Sequence, residues 1–403
     1  MSATNSAGDD KVRRRAVADG RRRRAVQCVI AAGVPVLAAT VLAAAGLTAA
    51  GLTAPALALT GHALTGHAPA GPAAPAAAGW KIVKTVHGRG GAVFTAVTAP
   101  GARDAWAFEA GAVTSRPAAF HLSGTTWRQV AFPGQPGEVV QAAGSSSAAN
   151  VWAITLSLKG SKSRALRWNG SHWSATGSLP VNIDDVAVIS RSDVWAFGSP
   201  FLPGNAGAWH FNGHRWQRQA AGHGLSAGSA LSAHSVWAID GKSVAHWNGS
   251  HWSRTSVAGL LPPASQLSSP RLTAILARSA SNVWAIGSGG REDEGGPVVV
   301  LHFNGHRWSR SAIDRSAGEP GLAQVAPDGA TGLWIPVPSV DGIPFRMLRF
   351  AGGHLRAVTM PVSGHKLDVL AVAAGGGTAF SAGLTHSKDD LAAHMAGVVL
   401  EFS

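Results

Sequence analysis

Short apolar segments alternate with polar turns along most of the chain, and the clearest unit spans residues 271–311. Leu272–Leu276 reads as a half-buried segment, Val283–Gly287 and Val298–Phe303 are largely apolar, and Arg307–Ser311 is mostly polar. Short segments of this kind, separated by polar turns, are typical of β-strands. The unit therefore predicts four short strands, which we name a, b, c and d in chain order.

The same unit returns along the chain. A tryptophan inside strand b recurs at intervals of 42 to 50 residues, and Phe380 stands where a seventh would fall. A period of ~40–50 residues with about four strands per unit is typical of β-propellers. The strand-b tryptophans are Trp106, Trp152, Trp195, Trp237, Trp284 and Trp334.

The connection from strand c to strand d carries a hairpin signal. Asn-Gly follows strand c at Asn169, Asn212, Asn248 and Asn304. These two residue types tolerate the positive φ that both central positions of a type I′ turn require. We therefore predict a tight Asn-Gly turn in four of the blades.

The two ends of the predicted ring complement one another. The last unit has strands a (Leu367–Ala373), b (Thr378–Gly383) and c (Val398–Phe402) but no strand d. The missing strand occurs at the other end, as Trp80–Lys84. Because an open sheet edge favours aggregation, we predict that this strand pairs with the one ending at Phe402. The predicted fold is all-β: a seven-bladed β-propeller of four-stranded blades spanning 79–403.

We expect the tryptophans to pack between blades. The chain has 15 tryptophans, and each can bury about 150–250 Å². At about 25 cal/mol per Å², such burial contributes several kcal/mol per side chain as an upper bound. A platform that stacks against a sugar or a cofactor is the alternative interpretation.

The N-terminal region predicts export. Residues 1–24 are polar and basic, and residues 25–58 are apolar and end in Ala56-Leu57-Ala58, which suits signal cleavage. The apolar run is also long enough to span a bilayer, so a retained signal anchor is the alternative. Residues 59–78 are rich in Ala, Pro and Gly and predict a linker. We expect a secreted or cell-surface protein.

Charge and cysteine content limit the partners. The single cysteine, Cys28, lies in the predicted signal, so we expect no disulfide in the propeller. The formal net charge is +13, and the excess of Lys and Arg beyond the N-terminus is scattered through the repeats. Nucleic-acid binders concentrate such charge on one face, so we expect no nucleic-acid partner. A mildly basic monomer favours a glycan, an anionic envelope polymer or a protein partner.

The two kinds of connection differ in variability. The a–b and c–d turns share one face of a propeller, which we call the turn face, and here they are short and repetitive. The b–c and d–a loops share the opposite face, which we call the loop face, and they vary in length and chemistry. Variable loops on a repetitive scaffold are where binding usually occurs, although neutral surface drift is the alternative. The candidate ligand-binding residues are Lys159, Lys162, Arg164, Arg291, Glu292, Asp293, Glu294, His386, Lys388 and Asp389.

The 17 histidines do not predict a metal site. Nine recur at fixed places in the repeat, so the ring symmetry separates them and they cannot converge on one ion. The acidic run 292–294 lacks the alternating ligands of a calcium loop. We therefore predict neither a metal nor a cofactor. The repeated histidines are His121, His210, His246 and His302 in strand c, and His172, His214, His251, His306 and His354 at the c–d turn.

The repeats resemble a family of secreted actinobacterial propellers built from Asp/Asn-Val-Trp-Ala-hydrophobic-Gly followed by Trp/Phe-Asn-Gly-x-x-Trp. The resemblance covers about residues 80–403 and implies an exported propeller without assigned functional residues. Kelch and sialidase-type propellers are more loosely similar. Their enzymes use tyrosines as metal ligand, radical or nucleophile, and this chain has no tyrosine. Galactose-oxidase and sialidase chemistry are therefore not expected.

Two functions follow from these observations. The first is a non-catalytic binding module whose ligand lies on the loop face. The alternative is a propeller hydrolase or lyase that acts on an extracellular polymer at the mouth of the central channel. Its candidate residues are Asp240, Asp293, His386 and Asp389, and no pairing among them is visible in the sequence.

Overall fold

The protein is a seven-bladed β-propeller of four-stranded antiparallel sheets, as the repeat predicted. The predicted signal segment 1–58 and residues 59–77 lie outside the described part of the chain, so these predictions are not tested. The computed structural model describes residues 78–88, 91–110, 115–158, 160, 162–198, 207–219, 224–263, 269–289, 296–316, 325–338, 345–361, 365–387 and 395–403.

Each of the first six blades uses four consecutive strands, in the order a to d from the channel outward. Blade 1 contains β2 (Phe94–Gly101), β3 (Asp104–Glu109), β4 (Ala118–Ser123) and β5 (Thr126–Val130). Blade 2 contains β6 (Glu138–Ser147), β7 (Asn150–Ser157), β8 (Ser163–Trp168) and β9 (Trp173–Leu179). Blade 3 contains β10 (Ile183–Ser190), β11 (Asp193–Gly198), β12 (Ala208–Phe211) and β13 (Trp216–Gln219).

The same order continues around the ring. Blade 4 contains β14 (Ala227–Ser232), β15 (Ser235–Asp240), β16 (Ser243–Trp247) and β17 (Trp252–Ser256), followed by a 3₁₀ turn at Ala258–Leu260. Blade 5 contains β18 (Arg271–Ser279), β19 (Asn282–Ser288), β20 (Val298–Phe303) and β21 (Trp308–Asp314). Blade 6 contains β22 (Ala326–Asp328), β23 (Gly332–Val337), β24 (Arg346–Ala351) and β25 (His354–Val358).

Blade 7 joins the two ends of the propeller. It contains β26 (His365–Gly375), β27 (Thr378–Ser387), β28 (Ala396–Phe402) and, as its outermost strand, β1 (Trp80–His87). The antiparallel register places Trp80 opposite Phe402. The predicted closure is therefore confirmed, and β1 extends three residues beyond the predicted end at Lys84.

The core is divided among the junctions between blades. The buried apolar side chains of the described residues form seven clusters, and each cluster combines residues of two neighbouring blades. A four-stranded blade is apolar on both faces, so each face is buried only against a neighbour. The stability of the fold therefore depends on closing the ring.

One aromatic contact recurs at every junction. The strand-b tryptophan of each blade, or Phe380 in blade 7, packs against an aromatic residue in strand c, strand d or both strands of the next blade. Trp106 contacts Trp168 and Trp173, with ring centroids 4.9 and 5.2 Å apart. The same contact joins Trp152 to Phe211 and Trp216, Trp195 to Trp247 and Trp252, Trp237 to Phe303 and Trp308, Trp284 to Phe350, and Phe380 to Trp127.

The closing strand supplies this contact where the ring joins. Trp334 of blade 6 lies 4.6 Å from Phe402 and 5.1 Å from Trp80, measured between ring centroids. Trp80 is 4% exposed and Trp334 is 1% exposed. The first described strand therefore stabilises the junction between blades 6 and 7 by the same contact that the repeat uses elsewhere.

The predicted two-residue Asn-Gly turn is wrong in detail. Trp168 pairs with Trp173, so four residues connect strands c and d in blade 2. The Asn169 side-chain oxygen accepts hydrogen bonds from the backbone N–H groups of Ser171 (2.9 Å) and His172 (3.0 Å). The asparagine thus caps the turn with its side chain, and Gly170 supplies the positive φ of 102°.

We expect Trp80→Ala and Trp334→Ala each to lower the free energy of unfolding by about 3–5 kcal/mol, because each removes a buried indole. Since the two rings touch, the double variant should lose less than the two single losses added together, by about 0.5–1.5 kcal/mol. Denaturant unfolding of the four proteins measures this coupling. The pair Trp80→Ala and Trp195→Ala, in non-adjacent blades, is the additive control. Additive losses for Trp80 and Trp334 would contradict the proposed role of the closing contact.

Candidate functional site

The loop face carries charged side chains that differ from blade to blade. Of the ten predicted ligand-binding residues, Lys162, Arg164 and His386 lie in the described part of the chain. Lys162 and Arg164 belong to blade 2 and His386 belongs to blade 7, so the structure does not bring all three together. Lys162 is exposed. The other seven predictions, Lys159, Arg291, Glu292, Asp293, Glu294, Lys388 and Asp389, lie outside the described residues.

Arg164 anchors a loop of the scaffold. It lies in strand c of blade 2, and its Nη1 atom donates to the two carboxylate oxygens of Glu138 at 3.0 and 2.8 Å. Glu138 is the first residue of strand a and is 5% exposed. Its Oε2 atom also accepts a hydrogen bond from the backbone N–H of Gln135 at 2.8 Å. Removing Arg164 would leave a buried carboxylate without its cation, which is strongly destabilising.

Two further ion pairs lie on the loop face. Asp240 ends strand b of blade 4, and its Oδ2 atom is 2.7 Å from Nη1 of Arg254 in the same blade. Asp314 ends strand d of blade 5, and its Oδ2 atom is 3.1 Å from Nη1 of Arg346 in blade 6. Burial acts to raise the pKa of Asp314, but hydrogen bonds from Ser316 and the charge of Arg346 outweigh it and lower this pKa.

His386 is a buried residue that lies beside Asp368 in blade 7. It lies in strand b, is 5% exposed, and its Nε2 atom is 3.5 Å from Oδ2 of Asp368 in strand a. Asp240, the other described residue of the hydrolase hypothesis, is in blade 4, which does not neighbour blade 7. The structure therefore places these two candidates in separate parts of the ring.

Blade 3 departs from the repeat with two adjacent carboxylates in its channel-lining strand. Asp185 pairs with Phe197, two residues after the strand-b tryptophan. The residues that occupy the same register position in five other blades are Ala96, Ala142, Ala227, Ala274 and Ala371. An ionisable side chain thus replaces a small buried one at the junction of blades 3 and 4. Aligning the repeats on their tryptophans would have shown this substitution in the sequence.

The Asp185 carboxylate is held by backbone donors. Its Oδ2 atom accepts a hydrogen bond from the N–H of Gly228 in blade 4 at 2.9 Å, and its Oδ1 atom accepts one from the N–H of Val186 at 2.8 Å. Burial raises the pKa of Asp185 from 3.8 to about 7, with a smaller contribution from Asp184, while the two backbone hydrogen bonds act to lower it. This carboxyl group therefore titrates near neutral pH.

The turn face repeats one polar arrangement. In four blades the strand-c histidine stacks on the strand-b tryptophan, with ring centroids 4.1 to 4.7 Å apart. Its Nε2 atom lies within hydrogen-bonding distance of a polar residue that stands two positions before the tryptophan. Burial lowers the pKa of His246 and His302. The pairs are His121–Asp104, His210–Asp193, His246–Ser235 and His302–Asn282.

Two features are absent from the part of the chain that the structure describes. No group of three or more His, Cys, Asp or Glu side chains within the described ranges is placed to hold a metal ion. The same ranges contain no helix that is both long and apolar enough to cross a membrane.

We expect Asp185→Asn to change how stability depends on pH. Because the folded-state pKa of about 7 lies above the ordinary 3.8, the folded protein binds this proton more tightly than the unfolded chain. The contribution of Asp185 to unfolding free energy therefore falls as pH rises from about 4 to about 7. The full shift corresponds to about 4 kcal/mol. Because Asp185 is only half-buried, we reduce this figure to about 1–2 kcal/mol for solvent screening.

Thermal unfolding between these pH values measures the effect. The asparagine keeps one acceptor oxygen but cannot ionise. The stability of the Asp185→Asn variant relative to wild type should therefore increase with pH across this range. Asp185→Ala, which restores the residue of the other blades, should flatten the pH profile in the same way. Parallel profiles for all three proteins would show that Asp185 does not titrate in this range.

No protein-family model matches the chain. A search of curated proteins also finds no match. Similar solved structures exist. One described as YCF48 bound to D1 peptide has a TM-score of 0.51 and 12% identity, over 80% of this chain and 96% of that chain. YCF48 from Cyanidioschyzon merolae has a TM-score of 0.49 and 15% identity, over 80% and 98%. The six-bladed fungal lectin of Aleuria aurantia has a TM-score of 0.43 and 12% identity, over 70% and 99%. At such identities the similarity shows the β-propeller fold alone.

Proposed function

We propose that the chain is an exported, non-catalytic propeller whose loop face binds a glycan, an anionic envelope polymer or a protein segment. The observation that carries this proposal is the difference between the two faces. On the turn face, the histidine–tryptophan arrangement repeats in four blades, and each histidine Nε2 atom lies within hydrogen-bonding distance of a polar residue of its own blade. The loop face instead carries unlike contacts. Arg164 pairs with Glu138, Asp240 with Arg254, and Asp314 with Arg346, while His386 lies beside Asp368. Selection for packing alone favours repetition, whereas recognition favours unlike residues on one face.

The charge distribution favours an anionic partner. Carboxylates of the scaffold are neutralised within the protein, as in Glu138–Arg164, Asp240–Arg254 and Asp314–Arg346. Such internal pairing leaves the excess of Lys and Arg to determine the potential that a partner meets. Exposed cations such as Lys162 belong to this excess.

A protein segment is also compatible with this fold. The similar structure of YCF48 is described as bound to D1 peptide. That description applies to YCF48 and supports peptide binding here only as a hypothesis. The binding test therefore includes peptides as well as glycans.

We expect replacement of the b–c loop charges to abolish binding without unfolding the protein. The loop variant combines Lys159→Ser and Lys162→Ser with Gly/Ser in place of residues 291–294. It retains Arg164, because that side chain neutralises the buried Glu138. The probes are an array of neutral, uronic and sulfated glycans and a set of extended peptides. Any probe bound by wild type should bind the loop variant at least about tenfold more weakly, a change of about 1.4 kcal/mol.

A matched control separates the two faces. His172→Ser with His251→Ser changes exposed residues of the turn face and should leave affinity unchanged. Both variants must unfold at the wild-type temperature. Equal binding by the loop variant, or loss of binding only in the turn-face variant, would reject the loop face as the ligand site.

The export part of the proposal has a separate test. We expect the full chain, expressed in a secreting host, to yield a propeller outside the cytoplasm. Intact mass and N-terminal sequencing of supernatant and membrane fractions measure the cleavage site. A soluble form that begins near Leu59 or Gly79 supports secretion, and an uncleaved form confined to membranes supports the signal anchor. A protein that remains full-length in the cytoplasm contradicts export.

A further inference from the structure

The outermost strand of blade 7 presents apolar side chains to solvent. Among the residues that the structure describes, the exposed large hydrophobic side chains are Ile82 (40%) and Val83 (36%). Both lie on β1, which pairs with β28 on one side and forms the outer edge of its sheet on the other. Exposed aliphatic residues on an unpaired strand edge are a liability for a soluble protein unless a partner covers them.

The other blades avoid such residues at this position. Ile82 stands two residues after Trp80, the strand-d tryptophan of its blade. In the other blades the equivalent position is two residues after the strand-d tryptophan, or after Leu355 in blade 6. In two blades an arginine at this position serves the scaffold: Arg254 pairs with Asp240, and Arg310 donates to the carbonyl oxygen of Leu260 at 2.7 Å. The residues that correspond to Ile82 are Gln129, Ala175, Arg218, Arg254, Arg310 and Ala357.

A β-bulge interrupts the outer strand at the two apolar residues. In β1, Ile82 pairs with Leu400 and Lys84 pairs with Val399, so Val83 is the extra residue. The bulge breaks the alternation of side chains between Ile82 and Lys84. Lys84 then lies on the opposite side, where its Nζ atom is 5.3 Å from the centroid of the Phe120 ring of blade 1. Ile82 is two residues from Trp80 in unbroken register, so it shares the side of Trp80, which faces blade 6, and Val83 is its exposed neighbour in the chain.

The neighbouring rim of blade 6 contributes a cation. Arg356 of β25 lies opposite Arg349, which lies opposite Trp334. Directly opposed residues project from the same face of a sheet, so Arg356 projects from the face of blade 6 that packs against blade 7. Arg356 is exposed. We call Ile82, Val83 and Arg356 the rim patch.

We propose that the rim patch binds an extended segment of another protein that carries aliphatic side chains and a carboxylate. The segment pairs its backbone with the free edge of β1, its aliphatic side chains cover Ile82 and Val83, and its carboxylate meets Arg356. A second copy of this chain fits less well, because it would bring another arginine and a basic surface to the patch. This inference concerns the rim and does not depend on the proposed role of the loop face.

The test uses variants that copy residues already tolerated at the same bulge. Blade 2 has its strand-d bulge at the corresponding place, where Ala175 and Thr176 stand for Ile82 and Val83. Ile82→Ala with Val83→Thr therefore keeps a sequence that this fold accepts. Arg356→Ser removes the cation. Gln129→Ala changes the same position on the rim of blade 1 and is the matched control.

A random-peptide display library is selected on the full chain, with the double variant as counter-selection. Enriched peptides should combine aliphatic residues with Asp or Glu. They should bind the double variant and Arg356→Ser at least about tenfold more weakly than wild type, and bind Gln129→Ala equally. Failure to enrich such peptides, or equal binding to the double variant, would overturn the proposal.

Two further measurements test whether something other than a peptide occupies the rim patch. Sedimentation velocity that shows a dimer, lost in the double variant, would assign the rim patch to a second copy. Co-sedimentation with phosphatidylglycerol vesicles that requires Ile82 and Val83, without peptide binding, would assign it to a membrane surface. Either result would overturn the proposal of a peptide partner.

Discussion

The contact between the strand-b tryptophan of one blade and the aromatic residues of the next is the interaction on which the structure depends. A single blade is too thin to bury its own apolar faces, so its stability comes from its two neighbours. The contact between Trp106 and the pair Trp168 and Trp173 shows the arrangement. Because the contact runs in one direction around the ring, the last blade must meet the first. Phe380 does so through Trp127, while Trp80 of the closing strand completes blade 7 against blade 6.

This constraint explains which parts of the repeat are uniform and which vary. Strands b, c and d present aromatic residues at the junctions, and in four blades a strand-c histidine stacks on the strand-b tryptophan. His302, stacked on Trp284 and within hydrogen-bonding distance of Asn282, illustrates this arrangement. The loop face is under no such requirement. Its ion pairs therefore differ between blades, and Arg164 with Glu138 serves only blade 2 and the loop that precedes it.

Two residues depart from the repeat in ways that the packing of the blades does not require. Asp185 occupies a position that is alanine in five other blades, at a junction where a charge is costly. Ile82 occupies a rim position that is polar or small elsewhere. Neither residue is needed for a propeller to form, since the other blades form without it. Both positions therefore indicate demands other than packing, one sensitive to protons and one exposed to a partner.

The sequence alone determined the blade number, the four-strand unit and the closure by the strand at Trp80, because periodicity and alternation are local properties. Strand c of blade 5 was predicted at its observed bounds, Val298–Phe303. The sequence also suggested that tryptophans fill the junctions, but not which rings meet, because the partners lie in different blades. The Asn-Gly turn was predicted with the wrong geometry, since the asparagine side chain caps the turn in place of a two-residue type I′ conformation. Only the tertiary structure showed that Arg164 neutralises Glu138, that His386 lies beside Asp368, and that Asp185 bridges two blades. These are side-chain contacts with residues 18 to 43 positions away in the chain, and their energies depend on burial, which the folded ring alone decides.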